Sequence, residues 1–128
     1  MKRIAVLACR NAENVCAGVG CLRAFSQRTG AFAAYGEEEL ELIAFMHCNG
    51  CWMPQKHAPY DQRRFTPLAE DPGLMEKVER LEKEQVDVVH LGICCRNQQG
   101  ECCPAMEELS RELQCRGMQV VQGTHGTR

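Results

Sequence analysis

The chain has 128 residues, of which 45% are hydrophobic, and a formal net charge of −2. That size predicts one domain over residues 1–128 with a core of its own. The near balance of charge argues against a general nucleic-acid surface, which needs a basic excess, and 5% aromatic residues make stacking platforms an unsuitable reading.

Four short apolar segments, 3–8, 41–46, 86–92 and 118–122, are predicted as buried parallel strands. Helical patterns lie between them. The first covers about 17–28, with Val19, Leu22 and Phe25 on one face and Gly30 stopping it. The second starts at Asp71-Pro72, a capping residue followed by proline at the first helical position, and carries an apolar stripe of Leu74, Met75, Val78 and Leu81. The third starts at Cys103-Pro104, buries Met106, Leu109 and Leu113, and closes at Gly117. Strand and helix therefore alternate, which predicts an α/β fold. The simplest form is a single three-layer domain with a four-stranded parallel sheet, flavodoxin-like in architecture. The segment 52–70, with Pro54, Pro59 and Pro67, reads as a long loop over the sheet edge.

Ten cysteines are the most informative feature. Lys2 and Arg3 precede an apolar run that ends at Cys9, which resembles a lipoprotein leader. The run is only about five residues, whereas a leader needs roughly 7–15. No stretch is long enough to span a bilayer. The expected setting is cytoplasmic, where thiols stay reduced and cysteine patterns signal metal or redox chemistry.

The thiols fall after strands rather than within them. Cys9 follows the first strand, with Cys16 and Cys21 just beyond it. Cys48 and Cys51 follow the second, Cys94 and Cys95 the third, and Cys102 and Cys103 close that third loop. His125 follows the fourth strand. In a parallel sheet these strand ends share one edge, the edge where ligands bind. Only Cys115, late in the third helix, lies elsewhere, and it reads as a packing residue.

Cys48-Asn49-Gly50-Cys51 has the spacing that lets two thiolates chelate one metal through a tight turn, and the same spacing serves dithiol redox chemistry. Cys103 sits at a helix N-terminus, where the dipole favours thiolate. Cys9, Cys16 and Cys21 match neither ordinary zinc-finger nor ferredoxin spacing. One cysteine of each doublet is expected to face the site. His90 reads as a hydrogen-bonded core residue near Cys94, and His47 stands beside Cys48. The first strand-to-helix connection carries cysteines where a nucleotide-binding fold carries glycines, which argues against FMN or NAD.

In their order these motifs resemble the CGGC domain proteins of bacteria and archaea. The resemblance rests on Cys9, Cys16 with Cys21, Cys48-Asn49-Gly50-Cys51, His90 with Cys94, Cys103-Pro104 and Gly123-Thr124-His125. Asn49 stands in place of the family's first central glycine, and Ala105 in place of a frequent histidine. The resemblance implies a metal-binding domain with zinc as its ion. Cys9, Cys16, Cys21, Cys48, Cys51, Cys94, Cys103 and His125 form the candidate ligand set, and thiolate chemistry leaves an iron–sulfur cluster as the other occupant. The competing reading is a thiol–disulfide oxidoreductase or sulfur carrier working through Cys48 and Cys51. The expected partner is the metal ion, with no nucleic acid and no membrane, and a protein partner is left open.

Overall fold

A computed structural model describes residues 1–12 and 15–126. It has four strands, β1 (Lys2–Ala8), β2 (Leu40–His47), β3 (Val88–Leu91) and β4 (Gln119–Gln122). Three helices alternate with them, α1 (Val19–Gln27), α2 (Pro72–Lys83) and α3 (Pro104–Cys115). The sheet is wholly parallel in the order β2-β1-β3-β4. This is the three-layer α/β architecture expected from the alternation.

The period of two along β1 divides the core. Ile4 and Val6 pack with Cys21, Ala24 and Phe32 on the α1 side. Ala5 and Leu7 pack with Val78, Leu81, Leu109 and Leu113 of α2 and α3 on the other. The chain steps from β1 outward to β2, then crosses back to β3. The order of the sheet therefore reverses between β1 and β3, the position where open α/β sheets bind ligands.

The expectation of four buried strands is corrected, because it holds only for the two central ones. Residues 4–8 of β1 and all of β3 are buried, but β2 is mostly half-buried and β4 is half-buried at its centre and exposed at both ends. The reason is topological: β2 and β4 are the sheet's edges.

The second and third helices follow their apolar periodicity. Leu74, Val78 and Leu81 are buried on α2, and Met106, Leu109 and Leu113 on α3. Gly117, at φ 90°, turns the chain out of α3. On α1 the apolar face is turned inward only at Phe25, which packs partly against the core. Val19 and Leu22 are 54% and 43% exposed, and the buried residues are Cys21 and Ala24. The helix ends at Arg28, in the left-handed conformation, ahead of Gly30. A 3-10 segment, Gly30–Tyr35, then buries Phe32 beneath it. Cys115 is exposed, so its expected role as a packing residue does not hold. Two positions after the buried Leu113, it has rotated off the inner face.

The segment 52–70 is a long connection, pinned by a bridge between Trp52 and Arg64 and by the buried Ala58 and Leu68. Among the described residues no helix is long and apolar enough to cross a membrane.

Asp71 caps α2 by accepting the Leu74 amide at 3.0 Å, and the same oxygen accepts Asn49 Nδ2 at 2.9 Å. Lys77 Nζ donates to Asn49 Oδ1 and to the His47 carbonyl, both at 2.8 Å. Asp71→Ala is expected to cost about 0.5–2 kcal/mol as a lost cap. It also frees the turn at Asn49, and urea unfolding of the metal-free protein measures both effects together.

Candidate metal centre

The parallel register carries the strand-end thiols together. Ala8 pairs with His47 across β1 and β2, so Cys9 and Cys48 leave the sheet side by side. Leu7 pairs with Leu91, which brings the loop after β3 alongside. The Cys9 amide donates to Cys94 Sγ at 3.1 Å, directly over the switch point. The Arg10 amide donates to Cys48 Sγ at 3.4 Å. Asn11 Nδ2 donates to Cys51 Sγ at 3.1 Å.

Charge is distributed unevenly among these sulfurs. A hydrogen bond from the Cys9 thiol stabilises the Cys48 thiolate and lowers its pKa from 9.0 to about 6, outweighing the effect of burial. The amides of Arg10 and Gly50 and the charge of Lys77 act in the same direction. The Cys9 thiol is pushed strongly up, first by that shared hydrogen bond and then by burial. Cys94 is likewise lowered to about 6, chiefly by a hydrogen bond from Cys95. Cys95 is fully buried and pushed well up by the same bond. Its sulfur also lies 3.6 Å from the Leu7 carbonyl oxygen. Of this doublet, Cys94 is therefore the sulfur that ionises more readily.

Cys103 adjoins Cys51 and Cys48 electrostatically. Its expected low pKa is corrected. Burial pushes it up, and the Met106 and Ala105 amides at the helix start only partly offset that. Cys102, half-buried in a bridge with Arg96, is also pushed up by burial.

A second group lies on the α1 side. Cys21 Sγ is 3.1 Å from Thr124 Oγ1 and 3.6 Å from His125 Nδ1. Burial raises the Cys21 pKa, with Thr124 opposing. Cys16 is exposed, and its sulfur accepts the Gly18 amide at 3.4 Å. His125 is exposed but placed by the chain before it. Gly123 donates to the Leu91 carbonyl at 2.7 Å, and the Thr124 carbonyl accepts the Ala31 amide at 2.8 Å. That last contact needs glycine at position 30, because its φ is 57° and a Cβ there would strike the Thr124 oxygen.

His90 is a core residue, as its strand position predicts. It is buried against Phe32, its Nδ1 lies 3.0 Å from the Gly123 carbonyl, and Tyr35 Oη lies 2.7 Å from its Nε2. The carbonyl can only accept, so the proton is assigned to Nδ1 and Tyr35 donates to Nε2. Burial lowers the His90 pKa.

Sequence reading did not single out Asn11, Lys77 or Tyr60 for the site. Tyr60 is pushed up by burial and by the nearby Cys103, Cys102 and Cys9. Lone polar residues on a loop or an outer helix face carry no spacing signal that would have found them.

These sulfurs suit a thiophilic ion such as zinc or an iron–sulfur cluster in their donor chemistry. Their arrangement is not preformed. Among the described residues no group of three or more His, Cys, Asp or Glu side chains is set to hold a metal ion. Cys9 and Cys95 instead spend their protons on Cys48 and Cys94. A metal takes such sulfurs only with loss of those protons and of the thiol–thiol hydrogen bonds.

The pH response of the reduced, metal-free protein follows from these shifts. Cys48 and Cys94 are expected to alkylate readily at pH 7 and to slow as pH falls through about 6. Cys21, Cys102 and Cys103 should stay slow near pH 9. Depressed pKa values favour the folded state above the ordinary thiol value, and that contribution fades as pH falls toward 6. The raised Cys9 pKa acts oppositely, favouring the fold below 9.0 and losing that effect at higher pH. Mass-spectrometric alkylation rates across pH 5–9 check the assignment.

Fold and site together define a doubly wound α/β domain with a thiol-lined strand edge. The chain belongs to the CGGC domain family, whose profile matches residues 3–125. No curated protein and no solved structure matches it significantly. The family match and the cysteine-rich edge fit a metal-binding role.

Proposed function

We propose that this protein binds zinc through thiolates gathered over the β1/β3 switch point. Cys9, Cys48 and Cys94 would form the heart of the site, with Cys51 or Cys103 completing four donors. The observation that carries this reading is the meeting of three separate strand ends. Cys9 donates its amide to Cys94 Sγ and its thiol to Cys48, so sulfurs from three loops share one neighbourhood. Four soft donors at such a point suit a closed structural zinc site. A bound zinc would supply charge neutralisation for the thiolates and a crosslink between the loops. Asn11 and the Arg10 amide would keep orienting Cys51 and Cys48.

The experiment is elemental analysis with a visible spectrum on protein purified without oxygen. One zinc per chain and no colour is the expected result. Brown protein with iron and sulfide would replace zinc by a cluster, and protein free of both would end the metal reading.

A second reading has a specific observation behind it. A charged Cys48 beside a protonated Cys9 is the arrangement that thiol–disulfide exchange uses. In that reading Cys48 attacks, and its neighbour is Cys9 as well as Cys51. Reversible oxidation of metal-free protein to a Cys48-containing disulfide would support it, and an inert Cys48 would remove it.

A further inference from the structure

A cavity of about 390 Å³ opens beside the switch point on the α1 side of the sheet. Its walls are mostly apolar, with Leu22, Phe45 and Ile93 among them, and Cys9, Cys16, Cys21 and Cys94 line it together with His47 and His125. The size suits a small molecule. The sulfurs of Cys94 and Cys21 both approach one backbone position, Gly92. Position 92 is glycine although its backbone is extended at φ −65°, so conformation does not demand it. A Cβ there would lie 3.3 Å from Cys94 Sγ, 3.7 Å from the Leu7 carbonyl oxygen and 3.9 Å from Cys21 Sγ, so any larger residue would crowd the two sulfurs. The cavity also accounts for the α1 surface. Leu22 stays 43% exposed because it faces this opening instead of the core.

A bare metal ion gains nothing from apolar walls. Zinc held by three or four thiolates carries net negative charge, which apolar surroundings penalise. A trivalent arsenic atom bearing one organic group is different. Two thiols condense with its oxide, R–As=O + 2 R′SH → R–As(SR′)2 + H2O. Two As–S bonds form, the As=O bond breaks, both thiol protons leave in water, and no atom changes oxidation state. The adduct is neutral and its organic group is apolar, which matches both features of the cavity.

We propose that this cavity is a binding site for a small apolar molecule carrying a soft, thiol-seeking atom, an organometalloid of the monoaryl or monoalkyl arsenic(III) class. The sulfurs of Cys94 and of Cys21 or Cys9 hold the arsenic, and Leu22, Phe45 and Ile93 cover the organic group. The site shares Cys9 and Cys94 with the zinc reading but does not depend on it.

The test titrates the reduced, metal-free full chain with phenylarsine oxide and, separately, with inorganic arsenite and zinc, following bound mass by native mass spectrometry. One phenylarsenic per chain is expected, bound at least tenfold more tightly than arsenite. Leu22→Glu should remove that tenfold preference and leave arsenite and zinc binding unchanged. Val19→Glu, on the same helix but outside the cavity, should change none of the three. Peptide mapping after alkylation should show Cys94 protected together with Cys21 or Cys9. Equal affinity for the aryl and inorganic forms would overturn the proposal. So would an aryl preference untouched by Leu22→Glu, or capture at Cys102 and Cys103. Zinc binding without an aryl preference refutes this proposal alone, and an aryl preference without zinc binding refutes the zinc reading alone.

Discussion

Replacing Cys48 by serine is expected to weaken zinc binding by more than ~100-fold, since losing even a partner outside the coordination sphere costs roughly 10–100-fold. Cys48 is the sulfur on which most of the site converges. It receives the Arg10 amide, shares the Cys9 proton, and feels Lys77. A serine hydroxyl is smaller than the thiol but can still accept from the Arg10 amide, so the fold should survive the change. It is a poor zinc ligand because its proton is not released near neutral pH. Competition with a chromophoric chelator measures the affinity, and unchanged circular dichroism shows that folding is intact. Cys115→Ser is the matched control, since Cys115 is exposed on the far end of α3. Wild-type affinity in Cys48→Ser would remove Cys48 from the site.

Leu113→Ala is expected to destabilise the metal-free protein by about 2–5 kcal/mol, the range for a buried leucine cut back to alanine. Leu113 is fully buried on α3 and packs within the larger of the two core clusters. Deletion of its side-chain carbons loses their transfer energy and leaves a cavity that a sheet-backed core closes poorly. At about 4 °C per kcal/mol for a chain of this size, the melting temperature should fall by roughly 8–20 °C. Val19→Ala provides the contrast. Val19 is 54% exposed, so its loss should stay within about 0.5 kcal/mol. A large effect at Val19 would mean that the outward face of α1 is packed after all. Both are read from urea unfolding without metal, because bound zinc would add its own stabilisation by mass action.

The elements of this fold were readable where a local signal and a global one agree. Asp71-Pro72 marks a helix start by capping chemistry, and Leu74, Val78 and Leu81 repeat with the helical period on the side that meets the sheet. The same logic misled on α1. Val19, Leu22 and Phe25 form the larger apolar face, yet the sheet is met by the small residues Cys21 and Ala24. Periodicity reports that a face is apolar. It does not say whether that face meets a core or a cavity, and Leu22 meets a cavity. The buried partners of His90, Tyr35 and Phe32, were equally hidden, because they come from a 3-10 segment without a strong pattern of its own.

The gathering of cysteines at strand ends was determined by sequence alone. Thiols placed just after successive parallel strands must emerge at one edge, because every such strand points the same way. Which thiol meets which was decided only by the tertiary structure. The pairing of Ala8 with His47 sets Cys9 against Cys48, and that of Leu7 with Leu91 brings Cys94 to the Cys9 amide. Register between distant strands depends on the packing of both faces of the sheet at once, and no spacing within the chain encodes it. That same packing lowers the pKa values of Cys48 and Cys94 and raises those of Cys9 and Cys95 beside them.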